Sequence, residues 1–194
     1  MVTQLPIELD GERVTLRCWG VDDAATLSTL VLANLEHLRP WMPWVASEPL
    51  TEAERRELIA GWVRARDAGG DAVYGIHVNG QAIGGCGLHH RIGPDGLEIG
   101  YWIAQPHCRL GYATEAAAVL SAAALGMEGV HRVEIHHDKA NVASAGIPRR
   151  LGYRFVGERP EDEPAPGGAG IEWIWRIERW VRVPRHVLRA FGAL

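Results

Sequence analysis

The stretch 97–127 constrains this chain most, because it joins a strand to a helix through a short loop that contains glycine. The letters LEIGYWIA (97–104) alternate as a strand does, and an alanine-rich helix is predicted over 111–127. A helix that opens on the small residues Gly111 and Ala113 leaves several backbone N–H groups directed at one point. Because the helix dipole favours an anion there by about 0.3–1 kcal/mol, the junction predicts an anion-binding loop, with plain helix capping as the alternative.

The remaining segments predict a mixed α/β domain. Asn79-Gly80 and the turn 94–96 separate three strands that form an antiparallel meander. A capping box over 51–54 opens a helix that ends at Gly69-Gly70. The predicted strands cover 13–18, 72–78, 81–92, 97–104, 132–137, 153–158 and 171–180. Three other helices are predicted. The first begins at Asp22 or Asp23 and ends before Pro40, the second covers 111–127, and the third covers about 144–151.

The composition is that of an ordinary globular protein and limits the function classes. The 194 residues carry a formal net charge of −4, so we expect one domain over 1–194 and no disordered or disulfide-rich scaffold. No apolar run approaches the roughly 20 residues that span a bilayer, and no secretory signal is visible. A cytoplasmic protein without membrane partners is therefore expected, and its acidity argues against nucleic acid. The three scattered cysteines predict no metal site.

Four motifs, in the correct order, resemble the GNAT superfamily of N-acetyltransferases. The letters QPHCRLGYATEA (105–116) resemble its coenzyme A pyrophosphate loop, and NVASAGIPRRLGY (141–153) is similar to its second cofactor segment. LEIGYWI and LRPWMPWV (38–45) resemble the RimJ/RimL-type subgroup, the acetyltransferases of ribosomal-protein N-termini and their relatives. The resemblance implies a single-domain GNAT fold of the α/β (α+β) class. Such a fold has a mixed, mostly antiparallel central sheet flanked by helices, with a bulged and splayed strand at the cofactor cleft.

The same resemblance implies acetyl-CoA as co-substrate and no metal. Two positions depart from the family's loop: Cys108 stands at the usual Gln or Arg position, and Arg109 where an additional glycine is common. Phosphate binding by backbone N–H groups does not depend on side-chain identity, so the expected role of the loop survives. The residues expected to bind the cofactor are Arg109, Leu110, Gly111, Tyr112, Ala113 and Thr114 at the pyrophosphate, Trp102 and Ile103 at the thioester, and Asn141 at the pantetheine.

Glu98 is the predicted general base. Acyl transfer to an amine needs a group that takes a proton from the amine. Strand alternation puts Glu98 on one face with Gly100 and Trp102, where a substrate can approach. A structural carboxylate paired with an arginine or a backbone amide is the alternative. The other candidate bases are His89, His90 and Glu163.

Ser144 is the predicted partner of the leaving group. It follows Asn141 by three residues at the start of a short helix. The resemblance implies that its hydroxyl stabilises or protonates the departing thiolate. Capping of the helix is the alternative role, because serine is a favoured N-cap.

Aromatic and acidic residues indicate where an acceptor would bind. The resemblance puts Trp41 and Trp44 near the acceptor entrance. The stretch 155–172 carries five carboxylates against Arg159, an acidic rim that would attract a cationic amine; a solvated loop is the alternative. The arginines of 176–194 are interpreted as a solvated edge. Trp173 and Trp175 share one face of the last strand, and core or edge packing is expected for Trp19, Trp62 and Trp180.

The expected function is transfer of an acetyl group from acetyl-CoA to a primary amine, by direct attack on the thioester. The amine is either a peptide N-terminus or a small molecule. Two alternatives stay open: an acyltransferase that uses another acyl-CoA such as succinyl-CoA, and a CoA-binding regulatory protein that transfers nothing. A homodimer also stays open, because no motif fixes an interface.

Overall fold

A computed structural model of the chain describes residues 4–179. Its strands are β1 (Glu8–Asp10), β2 (Thr15–Cys18), β3 (Ala72–Val78), β4 (Gln81–His89), β5 (Gly96–Ile103), β6 (Arg132–Asp138), β7 (Arg154–Pro160) and β8 (Ile171–Glu178). They form one eight-stranded sheet in the order β1-β2-β3-β4-β5-β6-β8-β7. Neighbours are antiparallel except β5 and β6, which are parallel. The mixed, mostly antiparallel sheet that the motifs implied is therefore confirmed.

The helices flank this sheet. They are α1 (Ala24–Leu32), α2 (Leu35–Leu38), α3 (Glu52–Asp67), α4 (Tyr112–Gly126) and α5 (Val142–Arg150). Short 3₁₀ turns cover Val21–Asp23, Pro43–Ser47 and Gln105–His107. None of the helices in the described part of the chain is long and apolar enough to cross a membrane.

The first helical segment differs from its prediction. One helix was expected between Asp23 and Pro40, but the chain forms α1 and α2 with a break at Asn34. The Asn34 side chain donates to the Leu30 carbonyl and accepts the backbone N–H of Gln105 at 2.8 Å. A polar side chain used in this way interrupts the helix and ties it to the loop that follows β5. The strand β1, which forms a hairpin with β2, was also not predicted.

Two apolar layers lie on opposite faces of the sheet. The larger one packs α4 and α5 against residues such as Leu16, Tyr74 and Ile99. The alanines Ala116, Ala117 and Ala124 are fully buried, because small side chains let α4 lie close to the strands. The smaller layer packs α1 and α3 against the other face, around Trp19, Leu27 and Ile59. We call this second face, which also bears Glu98 and Trp102, the acceptor face, after the acceptor site that the sequence predicts.

The strands β5 and β6 part from each other midway along the sheet. Their paired residues run only from Gly96–Arg132 to Ile99–Ile135, although β5 continues to Ile103 and β6 to Asp138. The expected splayed strand is thus present. Its expected bulge is not found among the paired residues described for β5, whose register against β4 and β6 is continuous. The cleft opens because the two strands diverge after Ile99.

Candidate active site

The loop between β5 and α4 presents a row of backbone N–H groups. Arg109 has a φ of 60° and Gly111 a φ of 89°, so the chain visits the left-handed region twice before α4 begins. None of the N–H groups of 109–114, which we call the cofactor loop, donates a hydrogen bond to another residue within 4–179. Successive N–H groups in such a turn form a concavity that binds anions. The loop therefore offers unpaired N–H donors that an anionic group can accept from.

Arg13 is a candidate that the sequence did not reveal. Its backbone N and its Nε donate to the Glu115 carboxylate in the first turn of α4, at 2.6 and 2.9 Å, and its Nη1 donates to the Leu110 carbonyl. A Cβ built on Gly111 would lie 3.1 Å from Nη2. The half-exposed guanidinium, ion-paired with Glu115, therefore stands beside the cofactor loop with its Nη2 toward Gly111. Only the fold brings Arg13 to this loop, because its partner Leu110 is 97 positions away in sequence.

The backbone N–H groups of β5 point toward the cleft at every second residue. Ala104 donates its N–H to Ile83 of β4, and a Cβ on Gly84 would collide with the Trp102 carbonyl. Because these groups alternate along a strand, Trp102 directs its N–H to β4, whereas Ile103 and Tyr101 direct theirs to the cleft. Of the two expected thioester contacts, Ile103 fits this geometry. The Trp102 N–H does not, whereas the Tyr101 N–H also faces the cleft.

Tyr101 and Ser144 meet at the open side of β5. The Tyr101 hydroxyl lies 2.9 Å from Ser144 Oγ. Burial raises the pKa of Tyr101 above its ordinary value, although the hydrogen bond to Ser144 opposes this, so the phenol keeps its proton. Helix capping is performed by Asn141, whose Oδ1 accepts the Ser144 N–H at 3.1 Å. The Ser144 hydroxyl is therefore not used as the N-cap and forms a hydroxyl pair with Tyr101.

Glu98 lies within an ion pair on the acceptor face. Both of its carboxylate oxygens accept from Arg91, one of them at 2.8 Å, and its side chain is 6% exposed. It also lies 3.4 Å from the ring of His136. This environment matches the alternative role for Glu98, a structural carboxylate paired with an arginine. A carboxylate held by two guanidinium hydrogen bonds is poorly placed to take a proton from an amine.

Three carboxylates surround His136 in what we call the acidic cluster. The ring lies 2.7 Å from Glu134, 3.3 Å from Glu172 and 3.4 Å from Glu98. Burial opposes a charge on the ring, but the hydrogen bond to Glu134 and the charges of Glu98 and Glu172 raise the pKa of His136 to about 9. The ring is therefore an imidazolium at neutral pH. With Arg91 and Arg176 at its margin, the cluster holds buried charges of both signs.

Two loops meet above the acceptor face. Gly167, between β7 and β8, donates its N–H to the Pro40 carbonyl at 2.9 Å. Asp138 at the end of β6 accepts the N–H groups of Ala169 and Gly170, each at 2.9 Å. Burial opposes the charge of Asp138, but these backbone hydrogen bonds hold its pKa below the ordinary value. The loop of the predicted acidic rim is thereby fixed beside the segment that carries Trp41.

The tryptophans divide between the two faces. Trp44 is 40% exposed, and its ring centroid lies 6.1 Å from that of Trp102 on the acceptor face, while Trp41 is half-buried nearby in the chain. Trp173 and Trp175 share one face as expected, but it is the opposite face, where they pack with His137 and Phe155. Trp19 is buried and Trp62 packs beside it. Trp180 and most of the arginines of 176–194 lie outside the described residues.

The Cys108 thiol is partly buried beside His37. Its Sγ lies 3.4 Å from His37 Nε2, and burial raises the pKa of the thiol, although Arg109 opposes this. A protonated thiol is a weak nucleophile. No group of three His, Cys, Asp or Glu side chains with the geometry of a metal site occurs in the part of the chain from 4 to 179.

The fold, the cofactor loop and the splayed strands define an acyltransferase. The family model of the acetyltransferase (GNAT) domain matches residues 13–154 of this chain. This chain belongs to the GNAT acetyltransferase family and is an acetyl-CoA-dependent acyltransferase. The family and the co-substrate predicted from the four motifs are confirmed.

Similar proteins come from the subgroup that the motifs indicated. YdaF of Bacillus subtilis (strain 168), provisionally named a ribosomal N-acetyltransferase, is 27% identical over 148 residues, which make up 76% of this chain and 81% of YdaF. RimJ of Mycobacterium smegmatis, solved with a CoA-disulfide, has a TM-score of 0.81 at 23% identity and covers 97% of this chain and 96% of its own. RimL, a ribosomal L7/L12 alpha-N-protein acetyltransferase solved with coenzyme A, has a TM-score of 0.79 at 20% identity, over 90% and 97% of the two chains.

Proposed function

We propose that this enzyme acetylates the α-amino group at the N-terminus of a peptide or protein. The observation that carries the proposal is the divergence of β5 from β6, with the cofactor loop at one end of the cleft and the acidic, aromatic acceptor face beside it. A cleft bordered by two loops at the sheet surface can admit a chain end. The names of RimL and YdaF, which refer to ribosomal substrates, agree with such an acceptor.

The residues at the cofactor end fit the shape and charge of coenzyme A. The N–H groups of the cofactor loop would hold the pyrophosphate, with Arg109 and Arg13 adding charge-assisted contacts at its edge. The N–H groups of Tyr101 and Ile103 would face the pantetheine arm and the thioester along the open edge of β5. Bound acetyl-CoA supplies an activated acyl group. The Asn141 side chain already caps α5 through Oδ1, so its amide nitrogen is the atom that would contact the pantetheine.

Ser144 and Tyr101 would serve the leaving thiolate. A thiolate that departs from the acyl carbon needs a proton, and a protonated phenol bonded to a hydroxyl forms a short path that can deliver one. The pair lies where α5 begins beside the cleft, and its 2.9 Å separation allows a proton to pass from Tyr101 to Ser144 as Ser144 donates its own.

The acceptor face would attract and orient the amine. Burial and the charges of Asp138 and Glu172 raise the pKa of Glu161 above its ordinary value, which means that these carboxylates repel one another. A cationic amine near them would relieve this repulsion. The tilted Trp44 and Trp102 rings would contact the first side chain of the peptide.

The test is a panel of acceptors supplied with acetyl-CoA. Release of free thiol and the mass of the product would be followed for peptides with free N-termini, for the same peptides blocked at the N-terminus but containing lysine, and for polyamines and aminoglycosides. We expect acetylation of the free N-termini alone. Turnover of only the small amines would contradict the proposal. Thermal stabilisation by coenzyme A without thiol release from any acceptor would identify a binding protein instead. Succinyl-CoA in parallel reactions tests the acyl group.

A further inference from the structure

His89 stands at the end of β4 with its ring on the acceptor face. Its neighbour Leu88 is fully buried in the larger core, so strand alternation directs His89 to the opposite side. In the sheet it pairs with Glu98, two residue pairs beyond Gly87 and Gly100 and therefore on the same face as they are. The imidazole is therefore next to the part of β5 at which β6 diverges.

Asp71 fixes the orientation of this ring. Its Oδ2 lies 2.8 Å from His89 Nδ1, and its Oδ1 accepts the His90 N–H at 2.8 Å. Burial opposes the charge, but these hydrogen bonds hold the pKa of Asp71 below its ordinary value, so the carboxylate is ionised. Since an ionised carboxylate only accepts hydrogen bonds, Nδ1 carries the proton of the neutral imidazole, and the lone pair of that tautomer is on Nε2.

The lone pair of Nε2 points into space that two glycines leave open. A Cβ on Gly87 would lie 2.8 Å from Nε2, and one on Gly100 would lie 3.7 Å from it. Nε2 makes no hydrogen bond to any residue from 4 to 179, and the side chain is 21% exposed. An oriented, accessible imidazole nitrogen thus lies over Gly100. Glu98, by contrast, is 6% exposed and held by Arg91 through both oxygens.

We propose that His89 is the general base of the acetyl transfer and that Asp71 is the residue that positions it. This inference rests on the proposed function and names the proton acceptor of that reaction. As the amine nitrogen bonds to the acyl carbon, its surplus proton moves to His89 Nε2. The carbon–sulfur bond breaks with its electron pair on sulfur, which takes a proton through Ser144 and Tyr101. His89 then releases its proton to water, and Tyr101 takes one proton back from water, so that both groups regain their starting states.

The decisive measurement is the pH dependence of kcat at a saturating concentration of a peptide acceptor, because protonation of the free amine also lowers kcat/KM at acidic pH. The charged and titratable groups that face His89 are Asp71, His90, Arg91 and Glu98, with His136 beyond Glu98. We expect His89→Gln to lower kcat by about 10²-fold or more and to remove the decline of the rate at acidic pH. His89→Asn is the second variant in case the first does not fold. Imidazole in solution should restore part of the activity of His89→Ala.

Three further variants separate the base from its surroundings. His90→Gln is the matched control: its ring is exposed and lies 3.5 Å from the same carboxylate, and it should stay within about threefold of the parent. Asp71→Asn should lower kcat by about tenfold and keep the acidic decline, with little change in the KM for acetyl-CoA. Glu98→Gln should keep that decline as well.

The outcomes of this experiment separate the two proposals. An unchanged pH profile in folded His89→Gln, or loss of the acidic decline in Glu98→Gln alone, overturns the assignment of the base while N-terminal acetylation stands. A parent enzyme that acetylates no peptide overturns the proposed function itself. Thermal unfolding and coenzyme A binding of each variant show that the comparison is made on intact protein.

Discussion

The cofactor loop and the acidic cluster lie on two sides of β5 and are built by different physics. The loop is one short stretch, 109–114, and its binding groups are backbone N–H donors whose direction follows from two left-handed residues and a helix start. The acidic cluster collects side chains from β5, β6 and β8, and its charges depend on one another. Changes in the loop should therefore act on cofactor binding, and changes in the cluster should act on stability and acceptor use.

The largest predicted change is in the free energy of unfolding, and it arises from the charge of His136. Because its folded pKa of about 9 lies above the unfolded value of about 6.5, its stabilisation is complete below pH 6.5 and is lost as pH rises through 9. Linkage sets an upper bound of about 3 kcal/mol for this loss. Urea unfolding of the parent and of His136→Gln between pH 6 and 10 measures it.

The variant should be less stable at pH 6.5 and should approach the parent near pH 10. His131→Gln, an exposed histidine just before β6, is the control and should follow the parent curve. The KM for acetyl-CoA should not change in His136→Gln. A parallel loss of cofactor binding would mean that the cluster and the cofactor loop are not independent.

The next largest change is expected in the KM for acetyl-CoA when Gly111 is replaced. An alanine there has to hold a φ of 89°, which costs about 1–2 kcal/mol, and its Cβ would lie 3.1 Å from Arg13. We expect the KM for acetyl-CoA to rise by roughly tenfold, with a smaller change in the KM of the acceptor. Steady-state kinetics with each substrate varied in turn provides the measurement.

Gly129→Ala is the matched control for this prediction. Gly129 has a φ of 80°, lies beyond the other end of α4 and has no atom within 4 Å of a built Cβ. It should lose similar stability without any change in cofactor binding. If both variants weaken coenzyme A binding equally, general destabilisation rather than the loop would explain the result.

Removal of the Ser144 hydroxyl should give a smaller loss that is confined to kcat. We expect Ser144→Ala to lower kcat by about tenfold and to leave both KM values nearly unchanged, because Asn141 and not Ser144 caps the helix. Tyr101→Phe should give a loss of similar size, and the double variant should add little to either single one. Normal turnover by Ser144→Ala would remove this residue from the mechanism.

The smallest effect is expected at the aromatic pair. Trp44→Ala removes the ring that faces Trp102. Because an aromatic contact contributes about 0.5–1.5 kcal/mol, the KM of the acceptor should rise roughly 2- to 12-fold, while the KM of acetyl-CoA stays constant. Trp41→Ala should act in the same direction. Trp173→Ala, on the opposite face, is the control and should change stability only. Equal effects on both KM values would indicate that Trp44 only packs against its neighbours and does not contact the acceptor.

The sequence predicted local features well and the environment of single side chains poorly. Periodicity and turn residues located the principal strands and helices, since these signals act over a few neighbouring residues. The break at Asn34 was missed because its cause is a hydrogen bond to Gln105. Glu98 was correctly put on one face with Gly100 and Trp102, but its ion pair with Arg91 depends on where the turn after β4 leads. Neither Arg13 beside the cofactor loop nor Tyr101 beside Ser144 carried a sequence signal.

By itself, the sequence determined the family, the co-substrate and the segment that forms the cofactor loop. The family and the co-substrate follow from the resemblance of four motifs, whereas the anion-binding form of the loop follows from a glycine, a helix start and a strand within one stretch of chain. Only the tertiary structure decided which carboxylate is held in an ion pair, which histidine keeps an unbonded nitrogen toward the cleft, and which tryptophans meet on the acceptor face. The physical reason is that a side chain's charge, exposure and partners depend on strands that are distant in sequence and become neighbours only when the sheet has formed.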